Sequence, residues 1–227
     1  MKLSIIVPAF NESKTLPTLI SRLERVNLPH SKEIIIIDDG STDKTKSILK
    51  KIDNKKNIII ITNYQNLGKG ASIIKGLKRS SGDLIIIQDA DLEYNPNEFK
   101  KLLKPFVDKK VQVVYGSRVL KKNPVSHWTF NLGGRTLTFL TNFLFKTNIT
   151  DEPTGYKVFR SQLIKSLNLK SQGFEFCPEV TAKIARRKIK IYEIPISYHP
   201  RPVNEKKIKW LDGLAAIFYL IKYRFID

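Results

Sequence analysis

Short runs rich in Ile and Val alternate with longer amphipathic patterns, and this alternation constrains the fold more than any other feature. Five runs are apolar at consecutive positions, which predicts buried strands over residues 3–7, 33–37, 57–62, 84–88 and 111–115. Between them, apolar residues recur at helical spacing and predict helices over residues 14–25, 43–51, 69–79 and 96–104. Strand–helix alternation requires crossover connections, which favour parallel strands with helices on both faces. The predicted fold class is therefore α/β with a mostly parallel central sheet.

The second half of the chain continues more sparsely. We predict a helix over residues 131–145, a strand over 192–198 and a last helix with a single apolar stripe. The stripe consists of Leu211, Leu214, Ala215, Phe218, Ile221 and Phe225. Because no repeat and no long linker interrupts the chain, we expect one main domain over residues 1–210 and a C-terminal amphipathic helix over 211–227.

Composition points to a reducing compartment and to no membrane span. Cys177 is the single cysteine, so no internal disulfide can form. Met1 and Lys2 lead directly into the first predicted strand, which leaves no room for a signal peptide. The longest apolar run, residues 214–221, ends at Lys222 and is too short to cross a bilayer. We expect a cytoplasmic protein.

The charge balance is strongly basic, with 40 Lys and Arg against 21 Asp and Glu and a formal net charge of +19. Such an excess suits a nucleic acid, an acidic lipid or a phosphorylated substrate, although a solvated basic surface is the plainer alternative. The positive charge is concentrated in residues 183–209, which contain nine basic residues and two acidic ones, Glu193 and Glu205. The basic residues are Lys183, Arg186, Arg187, Lys188, Lys190, Arg201, Lys206, Lys207 and Lys209.

Acidic residues follow three of the predicted strands. Ligands of open parallel sheets bind beyond the carboxyl ends of the strands, which here are followed by residues 8–12, 38–43, 89–91 and 116–118. Asp89 and Asp91 are one residue apart, a spacing that aims two carboxylates at one hard cation such as Mg²⁺. The alternative is that a loop aspartate caps the following helix.

The other strand-end motifs are less specific. Asp38 and Asp39 lie where a nucleoside base or ribose would be bound, and Asp43 is typical of a helix cap. Residues 66–70 resemble a phosphate-binding turn or an ordinary turn equally well. A zinc site is not expected, because His127 and His199 have no ligand spacing with Cys177.

Taken together, these segments resemble a family 2 glycosyltransferase of the GT-A fold, within the dolichol-phosphate or polyprenyl-phosphate hexosyltransferase group. The matching motifs occur in the family's order and extend from residue 1 to about residue 210. They are SIIVPAFNE (4–12), DDGSTD (38–43), NLGKG (66–70), DADL (89–92), GSR (116–118), LGGR (132–135), DEPTGYK (151–157), GFEF (173–176) and IPISY (194–198). The resemblance implies that residues 1–210 form the GT-A catalytic domain.

The resemblance also implies roles for individual residues. The nucleotide-sugar pocket would be lined by Pro8, Phe10, Glu12, Asp39, Lys69, Asp89 and Ala90. A divalent cation, Mg²⁺ or Mn²⁺, would be held by Asp89, Asp91 and Glu93. Relatives often carry Gln at the position of Glu93, which leaves the choice of cation open. The catalytic set would be Asp91, Arg118, Arg135 and Arg201, with the arginines facing phosphates.

The reaction that the resemblance implies is a single inverting displacement of a hexose, with mannose favoured, from a nucleotide diphosphate sugar to polyprenyl or dolichyl phosphate. GDP-mannose is the first choice of donor and UDP-glucose the second. A phosphate monoester has a second pKa of ~6, so its oxygen needs no strong general base. If the acceptor is a sugar hydroxyl instead, Glu175 is the candidate base. Arg135 and Arg201 lie in the basic half, and we assign them to the lipid phosphate rather than to the donor.

Three other functions fit parts of the sequence. A sugar-nucleotide pyrophosphorylase would have a Gly-rich loop with Arg and Lys after the first strand. Residues 8–12 have the sequence PAFNE instead, which argues against this class of enzyme. A nucleic-acid-binding module would have a basic stripe with interleaved aromatics, whereas the strand ends are acidic, so no nucleic-acid partner is expected. An inert scaffold that binds sugar nucleotides would have the same sequence features as an active enzyme, and only an activity assay distinguishes the two. We expect peripheral contact with the cytoplasmic face of a membrane.

Overall fold

The computed structural model describes residues 1–125, 127–208 and 210–226, and it forms a seven-stranded sheet. Along the sheet the strands run in the order β3-β2-β1-β4-β6-β5-β7. The strands are β1 (Lys2–Ala9), β2 (Ser31–Asp38), β3 (Ile58–Thr62), β4 (Leu84–Ile87), β5 (Val113–Ser117), β6 (Lys157–Arg160) and β7 (Ile191–Pro195). Lys209, which we counted in the basic run, lies outside the described residues.

Eight α-helices belong to the described part of the chain. They are α1 (Leu16–Arg25), α2 (Thr45–Lys50), α3 (Lys69–Arg79), α4 (Phe99–Leu103), α5 (Trp128–Phe145), α6 (Ser161–Ser166), α7 (Phe176–Arg186) and α8 (Trp210–Phe225). Short 3₁₀ helices cover Pro96–Glu98, Lys104–Val107 and Val203–Glu205.

The helices cover both faces of the sheet. In β1, Leu3, Ile5 and Val7 pack on one face and Ile6 on the other, as the two-residue period of a strand requires. The first face is covered by α1 and α4, and the second by α3, α6 and α7. The predicted α/β class with a mostly parallel sheet is confirmed.

One strand departs from the predicted pattern. β6 lies between β4 and β5 and is antiparallel to both, whereas β1 to β4 are mutually parallel where they pair and β7 is parallel to β5. β6 was not predicted, since its four residues begin with Lys157 and end with Arg160. α6 and α7 were not predicted either.

The C-terminal helix α8 packs against α5 and α7. Ala216, Leu220 and Tyr223 form its buried side. The predicted apolar stripe lies on the other side, where Leu211, Leu214, Phe218, Ile221 and Phe225 are exposed and Ala215 is half-buried. The stripe therefore does not pack on the protein's own core. Among the described residues, no helix has both the length and the apolar character that a membrane crossing requires.

Candidate active site

The parallel strands bring the predicted acidic residues to one edge of the sheet. β1 and β2 are in register from Lys2 beside Ser31 to Ala9 beside Asp38, and β4 pairs with the other side of β1. The segments that follow these strands carry Glu12, Asp39 and Asp89. Three loops from different parts of the chain thus meet at the carboxyl edge, where open sheets bind ligands.

Asn11 ties the first of these loops to the second. Its backbone adopts a left-handed φ of 51°, a conformation that Asn tolerates better than most residues. The Asn11 side-chain oxygen accepts a hydrogen bond of 2.8 Å from the amide of Thr42, and the Asn11 amide donates to Ser41 Oγ at 2.9 Å. Asp43 Oδ1 accepts a hydrogen bond from the amide of Thr45 at 2.9 Å, although the N-cap position of the helix that begins at Thr45 is Lys44.

Asp39 is buried and supports a loop. Its Oδ1 accepts hydrogen bonds from the Leu67 amide at 3.0 Å and from Asn63 Nδ2 at 2.7 Å, and its Oδ2 accepts one from the Gly68 amide at 2.8 Å. Both oxygens thus hold the 66–70 turn, and the contact of Asp39 with the nucleotide stays a prediction. Asp38 keeps one buried oxygen, Oδ2, without a hydrogen-bond partner among the described residues.

The 66–70 turn, which Asp39 holds, positions Lys69 for an ion pair with Asp89. Gly68 has a φ of +97°, and a Cβ there would lie 2.4 Å from the carbonyl oxygen of Gln172, so only glycine fits. Lys69 Nζ is 2.5 Å from Asp89 Oδ1. Burial lowers the pKa of Lys69, but the charge of Asp89 and its other neighbours together outweigh burial, and the net shift of the pKa is upward. Lys69 is therefore a fixed cation at this edge.

Asp91 is the most perturbed carboxyl group of the edge. Burial first, and then the charges of Asp89 and Glu93, raise its pKa to about 7, even though Arg201 Nη2 lies 3.0 Å from Asp91 Oδ2. Leu92 follows with a left-handed φ of 63°, which is strained for a side chain of this kind. The local backbone therefore holds a carboxyl group where its negative charge is incompletely compensated.

Glu93 makes its contacts with residues from the C-terminal part of the chain. Its oxygens accept hydrogen bonds from Tyr198 Oη at 2.8 Å and from the Arg201 amide at 3.0 Å, and Lys206 Nζ lies 3.3 Å away. Both oxygens of Glu93 are thus engaged within the protein, and its role as a metal ligand beside Asp89 and Asp91 stays a prediction. Within the part of the chain that is described, no three His, Cys, Asp or Glu side chains are grouped as a metal cage.

Arg201 lies among the acidic residues of the donor edge. Its Nη1 is 3.2 Å from Glu12 Oε1 and its Nη2 is 3.0 Å from Asp91 Oδ2. Lys207 Nζ is also 2.7 Å from Glu12 Oε1 and donates a hydrogen bond to the carbonyl of Phe10. Arg201 thus lies beside two carboxylates of the donor edge, and its assignment to the lipid phosphate stays a prediction. The sequence suggested Lys206 and Lys207 only as part of the basic run.

Arg118 is bound by a neighbouring carboxylate. Its Nε and Nη2 donate to the two oxygens of Asp151 at 2.8 and 2.7 Å, and its guanidinium stacks 5.2 Å from the ring centroid of Tyr198. This fork-to-carboxylate pairing holds Arg118 in the wall of the site, and its contact with a phosphate stays a prediction. Asp151 belongs to the DEPTGYK motif (151–157), and its pairing with Arg118 was not predicted from the sequence.

The 151–157 motif reaches the edge through Gly155. The Gly155 amide donates to Tyr94 Oη at 2.9 Å, and a Cβ on Gly155 would lie 2.5 Å from Asp89 Oδ2. Lys157, which is 1% exposed, donates from its Nζ to the carbonyls of Glu152 and Thr154 at 2.6 Å each. The motif thus acts as a rigid support behind Asp89.

The remaining predicted residues differ in their surroundings. Arg135 is exposed on α5, and Pro8 and Phe10 are half-buried at the end of β1. Ala90 packs in the core and can offer a ligand only its backbone. Glu175 Oε1 accepts hydrogen bonds from the amides of Gln172 and Gly173 at 2.9 Å each, so it supports a loop. We expect no general base from it.

Comparison with known proteins identifies relatives of the whole chain. Residues 4–167 match the model described as Glycosyl transferase family 2. A dolichol-phosphate mannosyltransferase of Pyrococcus furiosus is 27% identical over 230 residues, covering 98% of this chain and 64% of that protein. A UDP-N-acetylglucosamine–dolichyl-phosphate N-acetylglucosaminyltransferase of Methanococcus voltae is 30% identical over 215 residues, covering 85% of this chain and 83% of that protein.

A solved structure supports the fold. Glucosyl-3-phosphoglycerate synthase from Mycobacterium tuberculosis, in complex with Mn²⁺, UDP and glucosyl-3-phosphoglycerate, superposes with a TM-score of 0.76 at 19% identity. The similarity covers 100% of this chain and 81% of the synthase. The chain spans less than two thirds of the Pyrococcus relative, so the additional part of that protein has no counterpart in the residues compared.

Proposed function

The chain belongs to glycosyl transferase family 2, and from this premise we propose that it transfers a hexose from a nucleotide diphosphate sugar to the phosphate of a polyprenyl or dolichyl lipid. The observation that carries the proposal is the pairing of Asp89 with Lys69 and of Asp91 with Arg201 at one sheet edge. Fixed cations beside carboxylates suit a ligand that brings both a diphosphate and a metal ion.

GDP-mannose is the donor that we propose first, because the Pyrococcus relative is named for mannose transfer to dolichol phosphate. UDP-glucose is the second candidate, since the structurally similar synthase was crystallised with UDP and a glucosyl product. The name of the Methanococcus relative adds UDP-N-acetylglucosamine to the donors that a screen must contain.

A divalent cation fits the residues at the edge. Asp89 and Asp91 offer the hard oxygen ligands that Mg²⁺ and Mn²⁺ prefer, and the raised pKa of Asp91 marks a place short of positive charge. We propose that these two carboxylates hold the cation. When bound, it would supply charge neutralisation for the departing diphosphate.

Cationic side chains of the protein would stabilise the remaining negative charge of the phosphates. Lys69 and Arg201 are held by Asp89, Asp91 and Glu12 before any ligand binds, so their charges are oriented at little further entropic cost. The acceptor phosphate is largely ionised at neutral pH and attacks the anomeric carbon as the diphosphate leaves. The chain therefore has to position the two phosphates rather than remove a proton.

A membrane surface would present the lipid phosphate, and we propose that α5 and α8 rest on it. The two helices pack against each other, and α5 exposes Leu132, Phe139 and Phe143 while α8 exposes the stripe that ends at Phe225. α5 begins near the site, where Lys206 Nζ lies 5.1 Å from the ring centroid of Phe130. Apolar helix faces with basic neighbours bind anionic lipid interfaces peripherally. We place this contact at the cytoplasmic face.

Turnover assays test the proposed function. The full chain is incubated with GDP-mannose, UDP-glucose or UDP-N-acetylglucosamine, with polyprenyl phosphate, and with Mg²⁺, Mn²⁺ or chelator. We expect glycosylated lipid phosphate from one donor and loss of the product in chelator. The absence of glycosylated lipid phosphate with every donor would contradict the proposal.

A further inference from the structure

A second, basic pocket lies away from the acidic edge, at the far ends of α6 and α7. Its volume is about 380 Å³, within the range of small-molecule sites. Its lining residues are Ser166, Leu167, Asn168, Lys170, Lys183, Arg186 and Arg187. α7 starts beside the loop that contains Phe174, whose ring lies 5.9 Å from Lys69 Nζ, and it has 11 residues. At 1.5 Å per residue, its other end is roughly 15 Å along the helix axis, so this pocket is separate from the proposed catalytic site.

The lining of the pocket is cationic. Four of its seven residues carry a positive charge and none is a carboxylate. Glu179 is close, but its oxygens accept hydrogen bonds from the amides of Lys170 and Ser171 and pair with Lys183 Nζ at 2.9 Å. Glu179 therefore neutralises Lys183, and the cationic character of the pocket rests on Lys170 and Arg187.

Neutral groups hold Arg187 in place without neutralising its charge. Arg187 donates from Nη1 to Ser166 Oγ at 2.6 Å and from Nη2 to the Ser166 carbonyl at 2.7 Å. Lys183 Nζ donates to the Asn168 carbonyl at 2.8 Å. A guanidinium has five N–H donors, so Arg187 retains donors for a ligand. Such an arrangement fixes the charges before binding, which lowers the entropic cost of capturing an anion.

We propose that this pocket binds a phosphate group. Arginine and lysine match phosphate oxygens in charge and in hydrogen-bond geometry, and the cavity has room for a phosphorylated compound. The phosphate would belong to a free anion or to a phospholipid headgroup. The headgroup is a candidate because Arg186 donates to the carbonyls of Tyr223 and Ile226, where exposed Phe225 ends the apolar stripe of α8.

The test compares two pairs of charge-removing substitutions in the full chain. The pocket pair is Lys170→Gln with Arg187→Gln, and the control pair is Lys109→Gln with Lys110→Gln on an exposed turn. Amide NMR spectra are followed during titration with inorganic phosphate and with pyrophosphate at constant ionic strength. This measurement separates residues 166–170 and 183–188 from the acidic edge, where phosphates are also expected to bind.

We expect saturable shifts at these amides in the wild type and in the control pair, and roughly tenfold or greater weakening in the pocket pair. Turnover of nucleotide sugar is expected to be the same in all three proteins. In a second arm, phosphatidylcholine vesicles with and without phosphatidic acid are titrated. A headgroup site predicts that only the pocket pair loses its preference for phosphatidic acid.

The proposal is overturned if neither free phosphate nor phosphatidic acid distinguishes the pocket pair from the control. In that case the cations serve only to complement the carboxyl ends of the helices. Arg187→Gln also removes its two bonds to Ser166, so the melting temperature of each variant is recorded. Lys170→Gln alone provides the decision if the pair does not fold, because no described contact depends on the Lys170 ammonium.

Discussion

Replacement of Arg201 by Lys tests whether its contacts with the acidic edge serve the donor as well as the acceptor. One guanidinium now bridges Glu12 and Asp91, with nitrogen–oxygen distances of 3.2 and 3.0 Å from two different Nη atoms. A lysine ammonium is a single point of charge and keeps at most one of these contacts. Loss of one hydrogen bond to a charged group costs about 1.5–3 kcal/mol, which corresponds to roughly a 10- to 150-fold fall in kcat/KM.

The assay varies each substrate in turn while the other is held at saturation. Because Asp91 and Glu12 belong to the donor edge, we expect Arg201→Lys to lower kcat/KM for the nucleotide sugar and for the lipid phosphate. Arg135→Lys is the matched comparison, since Arg135 is exposed on α5 and the same exchange is made. It is expected to weaken use of the lipid phosphate alone, by about 1–3 kcal/mol.

Two outcomes would refute this reasoning. If Arg201→Lys affects only the lipid phosphate, its ion pairs with Glu12 and Asp91 have no part in donor use. If it affects neither substrate, Arg201 merely neutralises the carboxylates of the edge. Thermal melting of the variant separates both outcomes from a loss of folded protein.

Three further changes test other parts of the site. Asp91→Asn should abolish nearly all turnover while the melting temperature is retained, and full turnover of this variant in chelator would contradict the cation proposal. Gly155→Ala should destabilise the fold by about 1–3 kcal/mol and lower turnover, because its Cβ would lie 2.5 Å from a carboxylate oxygen of the edge. Phe139→Ser combined with Phe218→Ser should weaken co-sedimentation with anionic vesicles, by about 1.5–3 kcal/mol for each phenylalanine that is buried in lipid.

Matched controls are available for two of these changes. Gly133→Ala makes the same exchange on α5 where a Cβ meets nothing within 4 Å, so stability should be unchanged or higher. Val107→Ser removes a side chain that is 82% exposed on a 3₁₀ helix, and vesicle binding should be unaffected. Equal loss in a variant and its control would show that the effect is not specific to the named site.

The sequence predicted the fold wherever hydrophobic patterning alone specifies an element. β4 is wholly apolar, and β1 and β2 have continuous apolar stretches at residues 5–7 and 34–37, as burial on both faces of a parallel sheet favours. β6 was not predicted because a lysine such as Lys157 is usually exposed on the surface. In this structure its ammonium group donates hydrogen bonds to two carbonyl oxygens inside the protein. Periodicity cannot detect a buried charge whose partners are main-chain atoms.

The candidate site was predictable in its location and less so in its contacts. Strand ends identified Asp89 and Asp91, since a parallel sheet collects these ends at one edge. The contacts of Asp39 could not be predicted, because its partners in the 66–70 turn are backbone amides, which every residue type except proline provides. The pairing of Arg201 with Asp91 joins residues 110 positions apart, a separation that no local spacing encodes.

The antiparallel strand β6 also determines the order in which the sheet can be completed as the chain is synthesised. β1 to β4 find their neighbours within the first 87 residues, whereas β5 pairs only with β6 and β7 in the described structure. Until residue 160 has emerged, the outer edge of β4 presents unpaired N–H and C=O groups, which are a template for aggregation. Since domains generally fold from the N-terminus during synthesis, β1 to β4 would form the template on which the other three strands assemble. A chain that stops before β6 would therefore keep an open, apolar sheet edge.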